Sequence, residues 1–283
     1  MSALSPDLSL RLAAAVDSMP AFPKSVQRIL TLTRDVACSP RDLVQVIGKD
    51  PVVTVKVLRV VNSAYYGLDK QITSIDHAVV FLGFNTIKNL ALSIAAIGML
   101  PGSPLAGFDG QRYLLHSLTT AGVARQLALR LPDADPNDCF IAGLLHDFGK
   151  VVIAQFMPAE FRKSMEMSVW NDMALHQALR EVIGVDHAAI GAMLAEKWRF
   201  AHDLVETIRH QHEPATCDTA MMACVFAANQ ISKRLGFDFG GCLVVAPLAP
   251  TVVKRLGGKL DFVQASLGDL RPLLDEAKLF SNL

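Results

Sequence analysis

The chain has 283 residues, 51% of them hydrophobic and 19% charged, with 27 lysines and arginines against 27 aspartates and glutamates. Such a length and apolar content bury one large core or two linked ones, and two lobes are expected. The balanced charge sets up no overall field for nucleic acid or an anionic membrane surface, so neither is expected as a partner.

Five scattered cysteines (Cys38, Cys139, Cys217, Cys224 and Cys242) never fall in a Cys-x-x-Cys spacing. That argues against a zinc ribbon and a disulfide framework and suits a reducing, cytoplasmic setting. The N-terminus shows no basic region followed by an apolar core, so no secretory leader is expected. Residues 79–100 are the most apolar long stretch, but Asn85, Lys88 and Asn89 interrupt it. It reads as two core helices parted at Gly83, not as a membrane span.

Along the chain, Leu8, Leu10, Leu12, Ala15 and Val16 make a short amphipathic piece that ends in a turn at Met19-Pro20-Ala21-Phe22-Pro23. A first packed helix follows over 24–34, with Val26, Ile29, Leu30 and Thr33 on one face. Ser39-Pro40 and Asp50-Pro51 each put a capping side chain before a proline at the first helical position, where the missing N–H costs nothing. Residues 52–61 are so rich in valine that propensity alone favours a strand. The Asp-Pro start and the length favour a helix buried on most sides. Gly67 reads as a left-handed turn residue, with Tyr65 and Tyr66 packing a helix corner or offering a ligand or partner surface. Ser74 caps a helix with His77 in its first turn, Gly83 stops it, and Asn85 caps a run over 86–99. Nothing here is arranged like a catalytic site.

Prolines and glycines concentrate in residues 99–110, which marks a boundary between an N-terminal small-helix lobe, 1–100, and a second helical lobe with a helical tail, 110–283. The second lobe predicts a helix over 111–130 carrying His116. Another runs from Asp135-Pro136 to His146-Asp147. After a stretch of changing polarity over 151–170 come helices over 171–183 and 186–198, the latter with His187 in its first turn. A helix from Ala201 ends in a histidine-rich turn before Glu213-Pro214, and one over 219–235 carries Asn229 among apolar neighbours. Shorter helices are expected over 251–256, 260–267 and 270–280. The fold class is therefore all-α, a two-lobed helical bundle.

The chemistry concentrates at Gly143-Leu-Leu-His-Asp-Phe-Gly-Lys150, where an apolar helix delivers His146 and Asp147 before Gly149 breaks it and Lys150 adds a cation. A neutral imidazole beside a carboxylate suits a divalent metal, and the lysine suits a phosphate oxygen. The plainer alternative is that the pair caps the helix end while Lys150 complements its dipole. His116, His146, Asp147, His187, His212 and Asn229 share one property: each is polar on, or at the end of, an apolar helix. Burying such groups unpaired is costly, so a bundle that turns them toward one axis makes a metal site. His176, His202 and His77 lack a partner pattern and read as surface residues.

The order His116, His146-Asp147 with Gly149-Lys150, Asp186-His187 with Gly191, and the turn before Glu213-Pro214 resembles the HD superfamily of metal-dependent phosphohydrolases. The first lobe narrows this. Asp50-Pro51, Val61-Asn62-Ser63-Ala64 with Tyr66-Gly67, and Phe81-Leu82-Gly83 resemble the HDOD domain, the HD-related output domain of bacterial signalling, over residues 18–235. The resemblance implies His116, His146 and Asp147 as first-metal ligands, His187 and His212 as second-metal ligands, and Lys150 as a phosphate contact. Catalytic members complete the first shell with an aspartate where this chain has Asn229, and their paired histidines appear here as Gln211-His212. The Gly-Tyr-Pro segment of the cyclic-dinucleotide phosphodiesterases is missing.

The resulting expectation is a regulatory, non-catalytic module that acts through a signalling protein partner or a small ligand and holds a divalent metal weakly or partially. The alternative is a metal-dependent phosphohydrolase for a nucleotide or phosphoester, in which Asp147 and Lys150 serve the chemistry while Lys150 and Arg209 hold the phosphate.

Overall fold

Asp50, Ser74, Asp109, Asp135, Asp186 and Thr219 each cap a helix start by accepting from a backbone N–H of its first turn. The computed structural model describes residues 6–21, 24–32, 39–63, 66, 68, 70–100 and 107–281, and among them there is no β-strand. The helices in chain order begin with α1 (Pro6–Ser18), α2 (Lys24–Leu32), α3 (Pro40–Gly48), α4 (Pro51–Val61), α5 (Ile75–Leu82) and α6 (Phe84–Gly98). Then come α7 (Gly110–Ala128), α8 (Pro136–Leu145), α9 (Phe148–Phe156), α10 (Pro158–Trp170), α11 (Leu175–Val182), α12 (His187–Lys197) and α13 (His202–Arg209). A 3-10 turn at Pro214–Thr216 leads to α14 (Ala220–Arg234), α15 (Pro250–Leu256), α16 (Leu260–Ser266) and α17 (Arg271–Ser281).

The chain folds as two compact units, one of residues 21–99 with 271–283, the other of residues 1–20 with 100–270. In the first unit, Asp50 caps α4 by accepting from Val53 N at 3.1 Å and also takes the Ser25 hydroxyl at 2.8 Å. This local chemistry overrides the strand propensity of the valines. The valine helix is not buried on most sides: Val53, Val57, Val60 and Val61 are interior, while Val52 and Val55 are each 65% exposed. Asn62 clamps its end, its amide nitrogen donating to Leu58 O and Ile72 O and its oxygen accepting from Ile72 N. The helix expected behind an Asn85 cap begins earlier, because Gly83 takes φ +81° and serves both as the stop of α5 and as the start of α6. That conformation is open to glycine at little cost. The Gly67 turn and Tyr65 fall outside the described residues, whereas the Tyr66 hydroxyl donates to Glu276 on α17 at 3.2 Å.

In the second unit, α7 packs on α8 and α14, and α12 packs on α9 and α13. α1 belongs here, not with the residues that follow it. The Lys197 ammonium, at the end of α12, donates to the Val16, Asp17 and Met19 carbonyls at 2.8, 2.8 and 3.0 Å. A cation on the unsatisfied carbonyls of a helix C-terminus is a favourable arrangement. α17 in turn lies with residues 21–99, burying Leu273, Ala277 and Phe280. The boundaries read from sequence, 1–100 and 110–283, therefore differ from those of the two packed units at both chain ends.

Residues 151–170 form the later part of α9 and all of α10, separated at Met157-Pro158, and the helix expected from 171 starts only at Leu175. Pro136–Phe156 is apolar and long enough to cross a membrane by composition, yet 89% of its most apolar 18 residues are buried inside the protein, and it carries His146 and Asp147.

Candidate metal centre

His146 ends α8 in helical geometry, and Asp147 follows at φ −99°, ψ 8°, between α8 and α9. This near-continuous junction keeps two consecutive side chains inside the protein, at 0% and 2% exposure. Gly149 does not break the helix as expected but lies in the first turn of α9. A methyl group there would overlap the His187 carbonyl oxygen and crowd Gly191 N, so the glycine permits the close approach of α9 to α12. That approach brings His187 to the pair.

Three atoms converge: His116 Nε2 lies 3.3 Å from His146 Nε2, and each lies 3.4 Å from Asp147 Oδ2. Nδ1 of His116 meets Phe237 O at 2.7 Å, and Nδ1 of His146 meets Gly143 O at 2.7 Å. A carbonyl only accepts, so each Nδ1 is the donor, and the neutral tautomer leaves Nε2 as a bare lone pair. Burial lowers the His116 pKa against the raising effect of Asp147, which favours that neutral ring. Two lone pairs and a carboxylate oxygen this close repel unless a proton or a cation lies among them. The residues fit a divalent ion, and the carbonyls on the outer nitrogens are the supports that ligating histidines use. Asn229 Oδ1, buried in the pocket that Asp147 lines, has no hydrogen-bond partner among the described residues and offers a fourth candidate ligand atom.

The other Asp147 oxygen, Oδ1, lies 3.0 Å from His187 Nε2, and that nitrogen lies 3.0 Å from His212 Nε2. His187 is therefore more than a first-turn residue; Asp186 supplies the cap of α12, accepting from Ala189 N at 3.0 Å. Burial depresses the pKa values of His187 and His212, and takes His176 down to about 4. Asp147 is the exception. Burial opposes its charge, but the imidazoles around it, His146 foremost, and the Lys150 ammonium outweigh that and hold it well below the usual carboxylate range.

Lys150 is bound inside the cluster, its ammonium 2.7 Å from Asp147 Oδ2 and 2.9 Å from Phe239 O. Gln211 is buried and donates its amide to His146 O. Arg209 is not at the site. Its guanidinium pairs with Glu206 and Glu196 at 3.0 and 2.5 Å, and it does not line the pocket. His202 is exposed, as expected. His176 is not a surface residue: its ring stacks on His212 with centroids 4.0 Å apart, and it lines the pocket with Lys233, Asp238 and Cys242. No spacing marks His176, Asp238 and Cys242, because α11 and the segment over 236–242 reach the site only through tertiary packing, whereas Lys233 follows Asn229 by four residues on α14. The pocket is narrow, about 20 Å³, room for little more than one water or ion. The four described cysteines are free.

Residues 19–214 match the HDOD domain family. An uncharacterized protein of Treponema pallidum (strain Nichols) is 30% identical over 208 residues, 72% of this chain; the chain spans 40% of that relative's length. An HDOD domain protein of unknown function from Geobacter sulfurreducens superposes with a TM-score of 0.80 at 24% identity, covering 98% of this chain and 96% of that one. A protein of Shewanella amazonensis SB2B, provisionally named a phosphohydrolase, superposes with a TM-score of 0.73 at 24% identity, covering 95% and 97%. These structures share the fold.

Proposed function

Because this chain belongs to the HDOD domain family, we propose that it is a regulatory module of bacterial signal transduction that works in the cytoplasm through a protein partner or small ligand and holds a divalent metal weakly, without turnover. The observation that carries this reading is the charge around Asp147. Its carboxylate is the one acid in the set of His116, His146 and Asp147, and the Lys150 ammonium already sits on its Oδ2 at 2.7 Å. Asn229 contributes a neutral amide. A divalent ion among His116, His146, Asp147 and Asn229 thus meets a shell whose negative charge is offset by its own neighbour.

A bound metal would supply Lewis acidity and a more acidic water. Lys150 competes with that ion for Oδ2, and His187 with His212 flanks Oδ1, where a second ion would be held. Lys233 lines the pocket and Arg209 does not, so a phosphate there would meet Lys150 and Lys233. The pocket volume suits an ion and its water better than a phosphoester.

The second reading, a metal-dependent phosphohydrolase, draws on the same convergence of three histidines on one carboxylate. Assays of a chromogenic phosphomonoester and phosphodiester at saturating Mn²⁺ separate the two. The regulatory reading expects rates equal to the metal-free control. Metal-dependent hydrolysis that Asp147→Ala abolishes overturns it.

A further inference from the structure

After Gly236 the chain runs without helix as far as Ala249, and the later part of this segment walls a concave groove with α15 and the start of α16. The cavity measures about 850 Å³, within the range of small-molecule sites, and shares no lining residue with the metal centre. Its floor and walls are apolar, including Val245, Leu248 and Val253, and Val245 keeps 38% of its surface exposed.

The groove is also cationic, although the chain as a whole is neutral. Arg234, Lys254 and Lys259 line it against one anion, Asp261. Asp261 is committed, 2.5 Å from the Arg234 guanidinium. Lys254 and Lys259 form no ion pair among the described residues and are both exposed. The lining thus joins apolar walls to two uncompensated ammonium groups.

We infer that this groove binds a small amphipathic organic anion, its aromatic or aliphatic body against Val245, Leu248 and Val253 and its carboxylate, sulfonate or phosphate head on Lys254 and Lys259. A neutral apolar molecule leaves both ammonium groups without a partner, and a strongly polar anion gains nothing from the walls. Only a ligand with both parts uses the whole lining. The concave shape favours such a ligand over a bilayer, which takes up protruding apolar groups. This site is independent of any metal at Asp147.

The test is a fluorescence titration of the full chain with 8-anilinonaphthalene-1-sulfonate, an aromatic body with one anionic head, beside N-phenyl-1-naphthylamine, the same body without it. One saturable site is expected, with the sulfonate bound about tenfold or more tightly than the neutral compound, as one to two partly exposed charge contacts imply. The surface double variant Lys254→Glu/Lys259→Glu should weaken the sulfonate by at least about tenfold and leave the neutral probe unchanged. Val253→Trp, which fills the groove, should remove both, with thermal melting used to confirm that each variant folds. Sulfonate affinity that the lysine variant leaves unchanged overturns the proposal. So does a dimer in gel filtration that Val253→Trp disperses, because the groove then seats a second copy.

Discussion

The Lys150 ammonium stands 2.7 Å from Asp147 Oδ2, the oxygen that His116 Nε2 and His146 Nε2 each face at 3.4 Å. One carboxylate oxygen therefore serves a resident cation and the two imidazoles that would share a metal with it. Lys150→Met removes a positive charge a few ångströms from the ion, worth roughly 1 to 4 kcal/mol at dielectrics between water and a protein surface. Calorimetric titration of metal-free protein with Zn²⁺ or Mn²⁺ should show tightening by about one to three orders of magnitude. Weaker binding in the variant would mean that Lys150 holds Asp147 in place instead of competing for it.

Acid should destabilise the metal-free protein before ordinary carboxylates titrate. His116, His187, His212 and His176 all have pKa values lowered from 6.5, so below that value the unfolded chain binds more protons than the folded one. Their contribution is present above pH 6.5 and is lost as pH falls toward the folded values. Each histidine adds a slope of at most about 1.4 kcal/mol per pH unit. Asp147, lowered from 3.8, keeps its contribution until pH falls below that value. Urea unfolding in chelator should therefore give a stability that is level above pH 7 and declines between pH 6.5 and 4, with a shallower decline in His212→Phe. A curve flat to pH 5 would contradict the neutral, buried state of these rings.

The contact of α9 with α12 depends on one missing methyl group. Gly149→Ala places a Cβ against the His187 carbonyl and Gly191 N, both of them backbone atoms that move only with their helix. The expected loss is at the upper end of overpacking costs, about 3 kcal/mol or more. Thermal melting should show it as a large drop, with metal affinity falling as His187 shifts. An unchanged melting temperature would mean that the two helices part without penalty.

Local chemistry was the legible part of this chain. Asp50-Pro51, Asp135-Pro136 and Asp186 mark helix starts because a cap, joined in the first two by a proline, acts on its own backbone, and the structure begins α4, α8 and α12 there. His116, His146, Asp147, His187, His212 and Asn229 stood out as polar groups on apolar helices, and folding gathers them around one carboxylate and one narrow pocket. What depends on distant partners was not legible. Arg209 faces its own Glu206 and Glu196 across on α12, and His176 reaches His212 because α11 packs as it does. α1 leaves the helices next to it in sequence because Lys197, some 180 residues later, binds its terminal carbonyls. No local signal encodes such a pairing.

Asn229 is the deciding residue, its buried amide oxygen having no hydrogen-bond partner among the described residues. Calorimetric titration of Zn²⁺ and Mn²⁺ into metal-free natural protein and into Asn229→Asp measures the missing charge directly. A carboxylate charge a few ångströms from a bound ion is worth roughly 1 to 4 kcal/mol, so the variant should bind metal about one to three orders of magnitude more tightly. The natural protein should bind weakly or in part. Tight, stoichiometric metal in the natural protein, with no gain in Asn229→Asp, would contradict the claim that this centre lacks the charge a catalytic metal requires.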